Sequence, residues 1–360
     1  LYADHNASAP LRPEAREAML KAMELPSNPS SIHGEGRRAR GMVERARRQV
    51  AALVDGDPET VVFLSGATEA IAMALQARQN CIFRPLATEH AAVLAAHGFD
   101  EQVKTIPVDS SGTPQWPSDM GEEVLLAVQM ANSETGVSSP VPDDTKAFTF
   151  RDAVQAAGKT KIQMAEIGAN LICISSHKLG GPQGAAALIG RTTNELPPAL
   201  IRGGGQEKGR RGGTENVAAI AGFGAAAAAA MDGLDDFQAR TGGLRDSFEV
   251  GLRDFCATTG LECVVHGETA CRLPNTSCFS IAGLDATTAL MASDLAGIAI
   301  SSGAACSSGK VGKSHVLAAM GVSDDMARGA LRISFGWNSE PDDAGRLLEF
   351  LGKELPQLVS

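Results

Sequence analysis

Aromatic residues are scarce in this chain, 4% of its length with two Trp and one Tyr, and positive charge is in deficit, 32 Lys and Arg against 42 Asp and Glu, for a net charge of −10. An acidic chain with no Lys/Arg stripe interleaved with aromatics lacks the electrostatic footprint that tracks phosphate backbones, so no nucleic-acid partner is expected. Long hydrophobic runs are missing too. The stretch from Val217 to Met231, mostly Ala and Gly, falls short of the about 20 apolar residues that cross a bilayer, so no membrane partner is expected. The opening residues Leu1 to Pro10 carry an acid and a Pro where a secretory leader needs an unbroken apolar core, and the expected location is cytoplasmic. The seven cysteines are odd in number and never spaced Cys-x-x-Cys, which argues against a disulfide framework and a metal site, and most read as small core residues. No G-x-G-x-x-G follows the first strand, so a plain dinucleotide-binding protein is a poor fit.

What is present is alternation of strands and helices. Helical patterns at about 12–24 and 35–54 give way to short apolar runs at Thr60–Leu64, Val124–Gln129, Leu171–Ser175 and Ala185–Ile189. This predicts an α/β fold with a mostly parallel sheet between helices. Beyond about 200 a Gly-rich turn, Gly203-Gly204-Gly205, leads to an Ala-rich helix near 215–231 and an amphipathic helix near 235–256. Strands near 262–266, 276–281 and 330–335 and helices near 285–295 and 340–354 predict a smaller α+β C-terminal domain. The six-Ala run at 225–230 reads as close helix packing.

Three segments carry groups suited to chemistry. Ser175-Ser176-His177-Lys178 ends a predicted strand and precedes glycines, and the carboxyl end of a strand is where α/β sheets bind ligands. A desolvated Lys there can form a Schiff base; standing alone, the tetrapeptide reads more simply as an exposed loop Lys. Asp152-Ala153-Val154-Gln155 could deliver a carboxylate and an amide at the end of a neighbouring strand, where an Asp can keep a pyridine nitrogen protonated, or Asp152 could simply cap a helix. Ser65-Gly66-Ala67-Thr68-Glu69 opens a helix whose N–H groups and Thr68 hydroxyl could cradle a phosphate, or it is only a helix cap with a nearby Glu.

Taken in order, Asp4-His5-Asn6-Ala7-Ser8-Ala9-Pro10, Asn28-Pro29-Ser30-Ser31-x-His33-Gly34, the stretch 65–69, Thr88-Glu89-His90, Asn132-Ser133-Glu134-Thr135-Gly136, Asp152-x-x-Gln155, Ser175-x-His177-Lys178, the Gly-rich run at 203–214, Ser302-Gly303-Ala304-Ala305-Cys306-Ser307 and Arg332 to Gly336 resemble the cysteine desulfurases, pyridoxal-phosphate enzymes of the class V aminotransferase family. The resemblance covers the chain from residue 2 to about 350. It implies a fold-type I architecture: a large domain (14–245) with a mostly parallel sheet of the seven-stranded type, and a small domain made of 1–13 and 246–360 that carries the cysteine loop 302–313.

The resemblance also implies roles. Lys178 would hold pyridoxal 5'-phosphate through its amine and then move the Cα proton of the substrate. Asp152 would pair with the ring nitrogen and Gln155 with the phenolic oxygen. Ala67, Thr68, Ser175 and His177 would bind the phosphate, with Thr214 reaching over from the second subunit of a homodimer. His90 would stack on the ring and assist proton transfer, and Asn132 and Arg332 would hold the substrate carboxylate. Cys306, between glycines and near two lysines, would attack the sulfur of L-cysteine, become a persulfide and release alanine. The sulfur would pass to an acceptor protein such as an iron–sulfur scaffold, since the loop sequence looks like the iron–sulfur and nitrogen-fixation branch. Selenocysteine lyase or another C–S lyase shares the fold, and a non-catalytic sulfur-trafficking scaffold is the alternative of another class. Three departures stand out: Phe150 where the family usually has His, Arg151 where an apolar strand residue is usual, and Ser133 beside Asn132 where Asn is common. The connection 137–149 is also short, which suggests a trimmed helix.

Overall fold

The computed structural model describes residues 1–25, 28–76, 78–95, 103–118, 120–303 and 313–358. In chain order the elements are α1 (Pro13–Met23), α2 (Gly34–Ala52), β1 (Val61–Leu64), α3 (Ala67–Gln76), β2 (Ile82–Pro85), α4 (Ala91–Leu94), β3 (Val124–Gln129), β4 (Phe148–Asp152), β5 (Leu171–Ser175), β6 (Ala186–Gly190), α5 (Val217–Asp232), α6 (Leu234–Thr259), β7 (Cys263–Val265), β8 (Thr276–Ile281), α7 (Ala286–Leu295), β9 (Ser301–Ser302), α8 (His315–Ala319), α9 (Asp324–Arg328), β10 (Ala330–Ser334) and α10 (Asp343–Leu358). The strands expected at 124–129, 171–175 and 276–281 appear with those bounds. Each is buried along its whole length, which is why each reads as an unbroken apolar or small-residue run.

The first sheet has the order β1-β6-β5-β4-β3-β2. Strands β2 to β5 pair parallel, and β6 alone runs against its neighbours. Six strands therefore stand where seven were expected among the described residues. The seventh place, beside β2, holds two isolated parallel bridges, Phe83 to Val103 and Leu86 to Ile106, with the Lys104 and Ile106 N–H groups donating to Phe83 O and Pro85 O. One face packs under α1, α2 and α5, with Val43, Val50, Ile172, Ile174 and Phe223 in its core. On the other face α3 lies over Phe83, Leu125, Phe150 and Cys173.

The connection 137–147 contains no helix at all, only a turn at 143–144. Arg151 is the counterpart of that loss. It points away from Phe150, is buried, and donates from Nη2 to Ser139 O at 2.8 Å, tying the extended connection to the sheet where a helix would otherwise lie. Phe150 is fully buried in the core beneath α3.

The second sheet, order β7-β8-β10-β9, is wholly antiparallel and packs against α6, α7 and α10 through Phe248, Phe279, Leu331 and Leu347. The N-terminal segment belongs to it: Tyr2 bridges Ala299 and Asp4 bridges Ser334. Of the cysteines among the described residues, Cys173, Cys256 and Cys278 are buried, but Cys81 and Cys263 are half-buried and Cys271 is exposed, so the expectation of core cysteines holds for only some of them.

Among the described residues no single helix is long and apolar enough to cross a membrane; α5 and α6 combine the length and apolar character only as a pair bent by 72°. The apolar character of α5 is spent on α1 and α2, as its Ala run suggests. A Cβ on Gly224 would lie 2.5 Å from the Ala46 Cα, and one on Gly222 2.6 Å from Met19 Cγ. Gly224→Ala should therefore force α2 and α5 apart and cost about 1–3 kcal/mol, visible as a lowered thermal midpoint; an unchanged midpoint would show that the helices do not meet this closely.

Candidate active site

Strands β4 and β5 run parallel, and their carboxyl ends bring Asp152 beside Cys173, with Gln129 on the other side. A single turn after β5 places Lys178. Gln129, Asp152 and Lys178 line a cavity of about 390 Å³ together with Thr68, His90, Gln155, Ser175 and His177, within the size range of small-molecule sites. The start of α3 forms one wall. Ser65 donates from both N and Oγ to Glu69 Oε2, at 2.7 and 2.5 Å, so its hydroxyl does not cap the helix. The N–H groups that a helix start leaves without intrahelical partners belong to Gly66, Ala67 and Thr68, which line the cavity.

Burial dominates the electrostatics. The Asp152 carboxyl is raised above its ordinary range by desolvation, opposed by the Val154 N–H at 2.9 Å, by the charge of His90, by the Cys173 thiol and by the charge of Lys178. Glu89, fully buried next to it, is raised further, by burial and by Asp152 itself. His177 is pushed down to about 4 by burial and by Lys178, and His90 is lowered mainly by burial. The His90 Nδ1 accepts from Ala92 N at 3.1 Å, so the proton of the neutral ring sits on Nε2. The Lys178 amine rests on two main-chain carbonyls, Asn6 O at 2.6 Å and Ala7 O at 2.8 Å.

Three of the described residues expected at the site, Asn132, Arg332 and Thr214, do not line this cavity. The Asn132 Oδ1 accepts from Glu134 N and Thr135 N, and its Nδ2 donates to Thr88 O, so this amide is used up in closing the turn that ends at Gly136 (φ 75°); Ser133 lines the cavity instead. Arg332 is fully buried and donates to Asp4 Oδ1 at 2.6 Å and to Ser133 O at 3.1 Å, with Nε unpartnered. A carboxylate therefore already sits on the guanidinium expected to bind one. Thr214 faces a separate cavity of about 270 Å³ with Ser65, Glu207 and Arg211. Cys306 lies outside the described residues.

Sequence reasoning assigned no role to two residues that organise the site. Asn6 accepts through its carbonyl from both Lys178 and Gln155, while its side chain bonds to Lys159, Asn275, Thr276 and Ser133. Lys159 is buried between Asn6 and Gln155. Its position four residues after Gln155, one turn along a helical pattern, was the available signal.

The family model for aminotransferase class-V matches residues 1–347. The chain belongs to that family. It is 33% identical to the cysteine desulfurase IscS of Dictyoglomus turgidum, over 99% of this chain and 95% of that protein. It is 37% identical to a cysteine desulfurase of Cereibacter sphaeroides, over 99% and 96% of the two chains. The X-ray structure of a NifS-like protein from Rickettsia africae superposes with a TM-score of 0.89 at 30% identity, covering 99% of each chain.

Glu134 gives this site a pH signature. Burial raises its carboxyl to about 7 against the Ser314 hydroxyl, 2.5 Å away, and the charge of Arg332. The folded state thus holds a proton on Glu134 between the ordinary carboxyl range and about 7 that the unfolded state releases, and this contribution to stability is lost as pH rises through 7. Glu134→Gln keeps the acceptor for Ser314 and removes the titration. The variant should gain thermal midpoint over the wild type from pH 5 to pH 8; a gap that stays constant or shrinks contradicts the assignment.

Proposed function

We propose that this protein is a homodimeric cysteine desulfurase that converts L-cysteine to L-alanine, carries the sulfur as a persulfide on Cys306, and donates it for iron–sulfur cluster or other sulfur-cofactor synthesis. The reading rests above all on one observation: an amine, Lys178, and a buried carboxylate, Asp152, line the same cavity beside the open start of α3. That donor set fits pyridoxal 5'-phosphate, with a helix start and hydroxyls for a phosphate, an acid for a ring N–H, and an amine for an aldehyde. The cysteine desulfurases among its relatives, and the Ser-Ser-Gly-Ala-Ala-Cys sequence ending at Cys306, direct the reading to sulfur chemistry.

Pyridoxal phosphate, when bound, supplies an electron sink conjugated to the amino-acid substrate. Thr68, Ser175 and the Gly66 to Thr68 amides would hold its phosphate. His177, neutral because burial and Lys178 hold it near 4, would act there as an N–H donor. Thr214, turned away from the cavity of its own chain, would serve the second subunit. The Asp152 carboxylate would hold the ring N–H, and a cationic partner there favours its ionised form against the burial that now raises it. Lys178 would leave the Asn6 and Ala7 carbonyls to carry the Cα proton, with His90 presenting its Nε2–H. Arg332 would exchange Asp4 for the substrate carboxylate, a task suited to a planar fork.

The Cys306 thiolate then attacks the substrate sulfur. The new S–S bond forms as the substrate C–S bond breaks, the electron pair of that bond passes to carbon, and a proton completes alanine, so no external oxidant is needed. The N-terminal segment 1–13 and residues 246–360 are proposed as one domain, and 14–245 as the other.

Loaded with cofactor and given L-cysteine and a thiol reductant without any keto acid, the wild type should release alanine. Cys306→Ala should bind the cofactor equally and release almost none. Equal rates from both would remove Cys306 from the reaction; alanine from neither, in a protein that holds the cofactor, would move the assignment to another amino-acid substrate.

A further inference from the structure

Lys159 is a costly residue where it stands. It is buried, no carboxylate pairs with it among the described residues, and the charged groups acting on it are Lys178 and Arg332, so burial and then these two cations press its amine well below its ordinary range. A methionine would fill similar space without that cost. What the amine does is geometric. Its Nζ lies 2.8 Å from Asn6 Oδ1 and 2.8 Å from Gln155 Oε1, in bonds where nitrogen donates and the amide oxygens accept.

Gln155 has one oxygen, and Lys159 takes it. The end of the amide that remains is the NH2 group, which now rests on Asn6 O at 3.0 Å in a residue that lines the cavity. A glutamine turned the other way would offer an oxygen lone pair to a ligand oxygen and repel it. The same amine fixes Asn6, whose side chain it shares with Asn275 at 3.2 Å, and whose carbonyl parks the Lys178 amine.

Resting on the reading above, we propose that Lys159 is a positioning residue: through hydrogen bonds to Gln155 Oε1 and Asn6 Oδ1 it sets the Gln155 amide as an N–H donor toward the phenolic oxygen of pyridoxal phosphate and holds the carbonyl on which Lys178 waits. Lys159 does not touch the cofactor itself.

The test uses the full chain loaded with pyridoxal 5'-phosphate and reads cofactor dissociation and the pH titration of its visible band. Lys159→Met should weaken cofactor binding about tenfold, the scale of one lost hydrogen bond, and raise the midpoint of the visible titration by about half a unit, because a ring oxygen without its N–H donor holds a shared proton more tightly. In a Gln155→Ala background the same change should cost less than about threefold, since its main route of action is gone. Gln155→Glu, with Lys159 intact, tests the claim should the Lys159 variant fail to fold: a carboxylate facing the amine should leave the thermal midpoint of the cofactor-free protein unchanged or higher, yet weaken cofactor binding at least tenfold. An equal loss from Lys159→Met with and without Gln155, an unmoved titration midpoint, or a Gln155→Glu variant that binds like the wild type would each overturn the proposal. A wild type that fails to bind the cofactor would instead refute the functional reading on which it rests.

Discussion

One main-chain carbonyl, that of Asn6, is the constraint on which the site depends. A carbonyl oxygen has two lone pairs, and here both are taken, by the Lys178 amine and the Gln155 amide. The carbonyl can serve two side chains of the first sheet only because its own residue is held by the second. The Asn6 N–H donates to Ser334 Oγ at 2.9 Å and its Nδ2 to Thr276 Oγ1 at 2.9 Å. The N-terminal segment is thus a strap: bridged to the C-terminal sheet at Tyr2 and Asp4, it crosses to the carboxyl edge of the larger sheet and meets the Lys178 amine there. Arg332, whose partners are Asp4 and Ser133, belongs to the same junction.

Around this junction charge is kept but seldom paired within the site. Asp152, Glu89 and Glu134 are all raised, with burial the largest cause for each, while Lys159, His90 and His177 are lowered by the same cause. Buried titratable groups shifted in this way, gathered around one cavity, mark a candidate functional site. A molecule with an anionic phosphate, a protonated ring nitrogen and an electrophilic carbonyl would satisfy the start of α3, Asp152 and Lys178 together. The contrast with Arg47 and Glu207 is instructive: that buried pair, forked at 2.8 and 2.7 Å, is matched within the protein and ties the Gly-rich stretch to α2 and to β1, where Glu207 accepts from Phe63 N and Arg47 donates to Val61 O.

Legibility in the sequence followed the range of the interactions. Strands β3, β5 and β8 were readable because burial on both faces leaves no long polar alternation to mistake, and Lys178 because it lies in the turn that follows β5. The seventh strand, implied by the resemblance, is represented among the described residues by two isolated bridges at Val103 and Ile106. Asn132 was expected at the cofactor and the substrate from its motif; in this structure its oxygen accepts from the N–H groups of its own turn and its NH2 group donates to Thr88 O, partners that spacing does not expose. The hub role of Asn6 was invisible for the opposite reason: Asn6 meets Lys159 and Lys178 across separations of 153 and 172 residues, which no local pattern records, whereas the link from Lys159 to Gln155 is one turn long. Arg151, odd for a strand, makes sense only once the connection 137–147 is seen to run without a helix.

The central claim is that the cavity at the ends of β4 and β5 takes an aldehyde cofactor onto one particular amine, although two lysines, Lys178 and Lys159, share the Asn6 network. Borohydride reduction of the protein loaded with pyridoxal 5'-phosphate, followed by peptide mass mapping, decides it directly. The account predicts a single stoichiometric adduct on the peptide containing Lys178. An adduct on Lys159, scattered substoichiometric labelling of surface lysines, or no adduct at all would contradict it.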